Sequence, residues 1–263
     1  MYLAFRNQAV LRHSLTEAIK RFKNLGYGGV EIELVRGLTD ILNLDYLDDF
    51  YIRRVNELCE ELHFPVTAVA CHQNYVINDF TFETDKKLIQ TARKYNTNLV
   101  IVSTFINDQD KECHPELYDI LYDRTAELCK IAEDNGVNFA IEVEPHQLTN
   151  NLRQFFRLVE KVNSPALKLN FDIGHIFLSE EDIYQAIEDT KDYIVYSHVE
   201  NMIRGEHAHK LPWEGDIDIF SVYKKMKETC YDGPVSLDLY LQDYETVAKD
   251  CLDYLNMNVF SMI

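Results

Sequence analysis

Residues 167–202 read LKLNFDIGHIFLSEEDIYQAIEDTKDYIVYSHVENM. An apolar run at 167–172, an amphipathic stretch at 179–190 and a second run at 193–198 predict strand, helix, strand. Each strand closes on polar residues, Asp172 in one case and His198 in the other. The same alternation extends in both directions. Strand-like runs occupy Tyr2–Phe5, Gly29–Glu33, Pro65–Cys71, Asn98–Ser103, Val137–Glu144 and Val235–Leu239. Amphipathic stretches lie between them, as in SLTEAIKRFKNLG, which runs from a Ser/Thr cap to a Gly stop. Others fall at 51–62, 82–95, 116–135, 150–162, 218–230 and 244–256.

That makes eight strand-plus-helix units in 263 residues, about 33 residues each. Runs such as LVIVS and VNFAIEV are apolar on both faces, as in a parallel sheet covered by helices. A doubly wound open sheet can use the same units. Eight of them, with no glycine-rich phosphate loop after the first strand, favour a single closed (β/α)8 TIM barrel spanning 1–263. No proline- or serine-rich linker divides the chain.

Asp and Glu number 44 against 26 Lys and Arg, a formal charge of -18. So acidic a body repels phosphate backbones, which argues against nucleic acid as a partner. No apolar run approaches the roughly 20 residues needed to cross a bilayer, so no membrane is expected. MYLAFRNQAVLRHSL lacks the apolar stretch of a secretory signal, and the six cysteines form no CxxC pair. A reduced, cytoplasmic protein is the expectation. The aromatic content of 12% is compatible with a homo-oligomer.

In a closed barrel of this kind, the active site lies at the C-terminal ends of the strands. Strand five, FAIEVEPH, reaches Glu144, with Glu142 two positions earlier on the same face. Strand six ends at Asp172 with His175 three residues on; strand seven carries His198; strand eight, PVSLDLY, carries Asp238. Three carboxylates and one imidazole make an oxygen-rich ligand set for one divalent metal ion, Mn2+, Mg2+ or Co2+, with Zn2+ compatible. Each also has a structural role open to it. Asp172 can cap a helix, Glu144 can be a loop carboxylate, and Asp238, between leucines, needs a partner that an arginine could supply. Six of the nine histidines (72, 146, 175, 198, 207 and 209) follow strand ends or lie in the loop after strand seven.

VEPH, NFDIGH, SHVENMIRG and HKLPWEGDIDI, in this order, resemble the xylose-isomerase-like barrel superfamily. That superfamily holds sugar-phosphate isomerases, ketose 3-epimerases, hydroxypyruvate isomerase, inosose dehydratase and endonuclease IV. The resemblance implies Glu144, Asp172, His198 and Asp238 as metal ligands, and His175 and Arg204 as substrate contacts. His72 is a looser match to a pocket residue of strand three, and Glu31 to a glutamate ending strand two. Two departures stand out. Asp238 replaces the family's glutamate, withdrawing the carboxylate by roughly 1.5 Å where about 0.5 Å matters. Trp213 stands where the family usually has glycine, and either walls the pocket or anchors its loop.

The implied activity is metal-dependent isomerisation or epimerisation of a sugar or sugar phosphate. Glu144 would be the base and Asp238 its partner, removing a proton next to a carbonyl. Dehydration of an inosose-type substrate begins with the same step. A barrel that has lost its second acid/base and no longer catalyses is the reading that Asp238 suggests. The nuclease resemblance fails at strand four, where LVIVSTF offers Ser103 and Thr104 in place of a histidine.

Overall fold

The computed structural model describes residues 1–263 except 38, 40, 105–114 and 230. Cys113, His114 and Cys230 lie outside the described residues.

Eight parallel strands close into a barrel: β1 (Tyr2–Arg6), β2 (Gly29–Glu33), β3 (Val66–Cys71), β4 (Leu99–Val102), β5 (Asn138–Glu142), β6 (Leu167–Asp172), β7 (Ile194–Val199) and β10 (Pro234–Leu237). Their order around the wall is β1-β10-β7-β6-β5-β4-β3-β2, closed by the β1–β2 pairing. Two further strands, β8 (Asn201–Ile203) and β9 (Glu206–Lys210), form an antiparallel hairpin after β7. Every strand-like run of the sequence has its strand. Strand five stops at Glu142, short of the expected Glu144.

Among the described residues nine α-helices surround the wall: α1 (Leu15–Leu25), α2 (Asp49–Leu62), α3 (Asp79–Ala92), α4 (Leu117–Asn135), α5 (Leu152–Val162), α6 (Ile173–Ser179), α7 (Ile183–Thr190), α8 (Ile219–Thr229) and α9 (Tyr244–Leu255). Local chemistry sets their ends. The side chains and backbone amides of Ser14 and Glu17 cap each other reciprocally at the start of α1, and Gly26, at φ 106°, stops it in the left-handed region. None of the described helices is long and apolar enough to cross a membrane. Cys59, Cys71, Cys129 and Cys251 are buried free thiols.

The main core lies between wall and helices. Phe5 of β1 stacks on Phe22 of α1 at 4.1 Å, and Phe22 also meets Tyr27 at 5.0 Å and Tyr244 at 5.6 Å. A smaller cluster fills the barrel interior: Ala68, Ala70, Leu99, Ile101, Ala140 and Tyr196. Three alanines leave room for the Tyr196 ring. Its hydroxyl is held by Thr67 Oγ1 at 2.6 Å and Ser236 Oγ at 2.7 Å, so the buried polar end is satisfied. Polar side chains at the strand ends stand on this plug.

Phe22→Ala removes the ring that joins α1, β1 and α9. It should cost about 3–5 kcal/mol of folding free energy, read as a lower midpoint in urea denaturation.

Candidate functional site

Glu142 ends β5, Asp172 ends β6, His198 lies in β7 and Asp238 follows β10. All four are buried, and one ligand atom from each lies within 4.8 Å of the others. His198 Nδ1 faces the three carboxylates, at 3.1 Å from Glu142, 3.7 Å from Asp172 and 4.0 Å from Asp238. Glu142, rather than Glu144, is therefore the member from strand five. Alternate residues of a strand share a face, so either could have reached the mouth; the last pairing, Glu142 opposite Asn170, decides between them.

Neighbours hold these groups in place. His198 Nε2 lies 2.9 Å from Glu31 Oε2, which orients the ring and leaves Nδ1 for the cluster. The Asn170 amide donates to Glu142 Oε2 at 2.8 Å. Asp172 does two things at once. Its Oδ1 accepts from the backbone NH of His175 at 2.8 Å and caps α6, while Oδ2 is buried without a hydrogen-bond partner. A buried carboxylate oxygen left in this way is costly unless a cation, or the proton that Glu200 keeps beside Asp172, completes it.

Arg6, at the end of β1, is the residue that the sequence reading passed over. It is buried, with Nη1 2.5 Å from Asp238 Oδ2, Nε 3.0 Å from Glu31 Oε1 and Nη2 3.6 Å from Glu33 Oε2. Burial works against ionising Glu31 and Asp238. His198 and Arg6 overcome it for Glu31, and Arg6 foremost for Asp238, so both carboxyls sit below their usual range. Glu33 and Glu200 also went unremarked. The signal was there for two of them: YLAFR and GVEIE each place a charge at the end of an apolar strand. Glu31, Glu33, Glu142, Asp172, Glu200 and Asp238 are six buried carboxylates at one mouth. Among the described residues, Arg6 is the one lysine or arginine paired with them. Glu200 keeps its proton, since burial and Asp172 push its carboxyl well above the usual range; Glu142, Asp172, His198 and Asp238 could together hold a divalent cation.

His72 joins the same network. Its Nε2 lies 2.9 Å from Glu142 Oε2, and Nδ1 contacts Glu33. Burial opposes charge on this ring, yet Glu33 and Glu142 hold its pKa well above that of a free imidazole. The same contest lifts His198 to about 10, through Glu31 and Glu142, and His175 to about 9, through Asp172 and Glu142. Glu144 lies just beyond β5, where burial pushes its carboxyl up to about 7; Gln147 donates to it. A cavity of about 180 Å3 opens among Arg6, His72, Glu142, Glu144, His175 and Asp238.

Arg204 and Trp213 are not brought to this cavity. The Arg204 guanidinium lies over the Phe177 ring at 3.7 Å and donates to the backbone carbonyls of Phe177 and Glu180, tying the hairpin to α6. Trp213 is 42% exposed and meets Tyr254 of α9 edge-on at 5.4 Å, an anchor for its loop. Lys210 pairs with Glu206 at 3.3 Å across the hairpin.

A family model described as xylose isomerase-like TIM barrel matches residues 19–256. A ketose 3-epimerase of Arthrobacter globiformis is 30% identical over 112 residues, 41% of this chain and 37% of the relative's length. An L-ribulose-5-phosphate 3-epimerase, UlaE, of Escherichia coli O157:H7 is 20% identical over 89% of this chain and 85% of its own. Among solved structures, an IolI protein with a bound zinc atom superposes with a TM-score of 0.80, covering 100% of this chain and 99% of the other at 21% identity.

Arg6→Met leaves Glu31, Glu33 and Asp238 without their cation and should cost about 3–5 kcal/mol near neutral pH. Carboxyls depressed by pairing stabilise the fold above their unfolded pKa and cease to do so as pH falls through the folded value. The gap between native and variant should thus be full above about pH 4.5 and shrink below it, in urea titrations run at several pH values.

Proposed function

The chain belongs to the xylose isomerase-like TIM barrel family, and from that premise we propose that it is a divalent-metal-dependent sugar isomerase or epimerase. The observation that carries this reading is the convergence of Glu142, Asp172, His198 and Asp238 within 4.8 Å, with a bare Asp172 oxygen among them. Those four would hold the ion. Their oxygen-rich donor set suits Mn2+, Mg2+ or Co2+, and the zinc of the IolI neighbour keeps Zn2+ within range. Once bound, such an ion supplies positive charge to the oxygens of an enediolate.

The remaining work falls to the protein. Glu144 borders the cavity with a carboxyl near 7, suited to taking a proton from carbon next to a carbonyl and returning it. His72 and His175 border the same cavity, with His72 held by Glu33 and Glu142 and His175 by Glu142 and His207. Asp238 has a different situation from Glu144. Its contact with Arg6 at 2.5 Å suits a ligand better than a second proton carrier. That favours proton transfer by one carboxylate on one face of the substrate, which suffices for isomerisation, whereas epimerisation needs a proton delivered from the opposite face as well. Epimerase relatives support a small carbohydrate as the substrate, free or phosphorylated.

The test is a panel of ketoses and ketose phosphates offered to manganese- or cobalt-loaded protein, with products identified by NMR in deuterated water. Isomerised or epimerised sugar carrying solvent deuterium is the expected result. An unsaturated product would replace this reading with dehydration, and bound metal with no turnover of any sugar would end the catalytic reading. Glu144→Gln should lower kcat by about 10^2–10^4 while metal content stays unchanged. Glu31→Gln, which removes the acceptor behind His198, should weaken metal binding by about 10–100-fold in calorimetric titration.

A further inference from the structure

A sugar substrate comes free or phosphorylated, and the charges around the barrel mouth distinguish the two. On a (β/α)8 barrel a phosphate group frequently sits at the loops after the seventh and eighth wall strands, on the N-terminus of a helix. Here those loops are acidic. After β7, Asp216 accepts from the backbone NH of Arg204 at 2.9 Å, and Asp218 accepts from the backbone NH of Ser221 at 3.1 Å in the first turn of α8. After β10, Asp243 stands directly before α9 and Glu245 lies in its first turn. Both helix starts at which a phosphate would seek backbone NH groups therefore present carboxylates to it.

The cations of the mouth are engaged elsewhere. Among the described residues, the lysines and arginines at the C-terminal strand ends and in the loops that follow are Arg6, Arg12, Arg36, Arg204 and Lys210. Arg6 is buried against Glu31, Glu33 and Asp238. Arg12 pairs with Asp243 at 2.7 Å, and Lys210 with Glu206 at 3.3 Å. Arg204 lies over the Phe177 ring and donates to the carbonyls of Phe177 and Glu180. Arg36 donates to the carbonyl of Leu11 and lines a separate hollow with Asn43 and Asp45, which shares no residue with the cavity beside Glu144.

The cavity wall carries the carboxyl groups of Glu142, Glu144 and Asp238 together with the neutral side chains of Gln8 and Tyr240. An ionised carboxylate only accepts hydrogen bonds, so it pairs with a hydroxyl, which donates, and not with a phosphate dianion, which is itself an acceptor. On the sugar isomerase or epimerase reading, and narrowing it to one substrate class, we propose that the substrate is an uncharged sugar and that the acidic rim after β7 and β10 keeps phosphorylated sugars out. Gln8, fixed by its amide's bond to the Gly37 carbonyl at 3.2 Å, and Tyr240 offer uncharged partners to the sugar's hydroxyls. The formal charge of -18 acts in the same direction at longer range.

Manganese- or cobalt-loaded protein is titrated calorimetrically with a panel of ketopentoses and ketohexoses, each beside its own terminal phosphate. At least one free ketose should bind, and about tenfold or more tightly than its phosphate at low ionic strength. Added salt should narrow that preference in the native protein, because screening weakens repulsion between exposed charges. Asp243→Lys, at an exposed position, should narrow it by about threefold or more while affinity for the free ketose stays unchanged. Equal or tighter binding of the phosphates overturns the proposal, as does a panel in which no free ketose binds. A preference that neither salt nor Asp243→Lys alters also overturns it, since the acidic rim would then not be what excludes phosphate. The salt series in the native protein decides alone should the variant fail to fold. A free ketose that binds without turnover ends the isomerase reading and leaves the uncharged ligand in place; a ketose phosphate that binds best and is isomerised does the reverse.

Discussion

Buried carboxyls crowded at one barrel mouth repel one another, and the rest of the site offsets that repulsion; Glu200 does so by keeping its proton, its pKa raised by burial and by Asp172. Two like charges 4 Å apart cost about 4 kcal/mol at an effective dielectric constant near 20, so a handful of them would outweigh the stability of an ordinary domain. Arg6 answers part of this. Because β1 pairs with both β2 and β10, the guanidinium at its end reaches Glu31 and Glu33 on one side and Asp238 on the other. His72, His175 and His198 answer more by holding protons that free imidazoles would lose. A cation held at this mouth would take the place of the His198 proton.

Such an arrangement needs a rigid base. The alanines around Tyr196 let the barrel interior fill completely, and the tyrosine hydroxyl locks onto strands on two sides. Above that plug each ligand side chain is fixed by a specific contact: Glu31 for His198, Asn170 for Glu142, Arg6 for Asp238 and the α6 amide for Asp172. Side chains on strand ends with their rotamers held this way keep a fixed geometry, as the proposed metal binding and proton transfer would require. Asp238 is the informative case. Its shorter side chain ends on the buried Arg6 guanidinium, 2.5 Å from Oδ2.

The hairpin after β7 is built differently from the wall. It pairs only with itself and is held from outside by Arg204 on Phe177 and from inside by the histidines of β9. Met202 of β8 is buried in the main core, and Asn201 beside it bonds to the backbone of Pro212 and Ile217.

Much of this was legible in the chain alone. Eight apolar runs at regular spacing, each followed by an amphipathic stretch with a cap, specify a closed parallel barrel through local physics: period, propensity and turn chemistry. Asp172, His198 and Asp238 were visible as polar residues ending apolar strands. Which of Glu142 and Glu144 joins them was not, because a period of two places both on one face and only pairing with β6 says where the strand ends. Arg6 was hidden for a related reason. Its partners stand 25 to 232 residues away, and nothing within YLAFR reveals that closure of the barrel brings them to it. Arg204 and Trp213 lie in the segment after β7, where direction is set by packing against α6 and α9 and not by backbone period. Sequence determined the scaffold and most of the chemistry at its rim; tertiary structure decided which charges meet, since only long-range closure brings their side chains within reach.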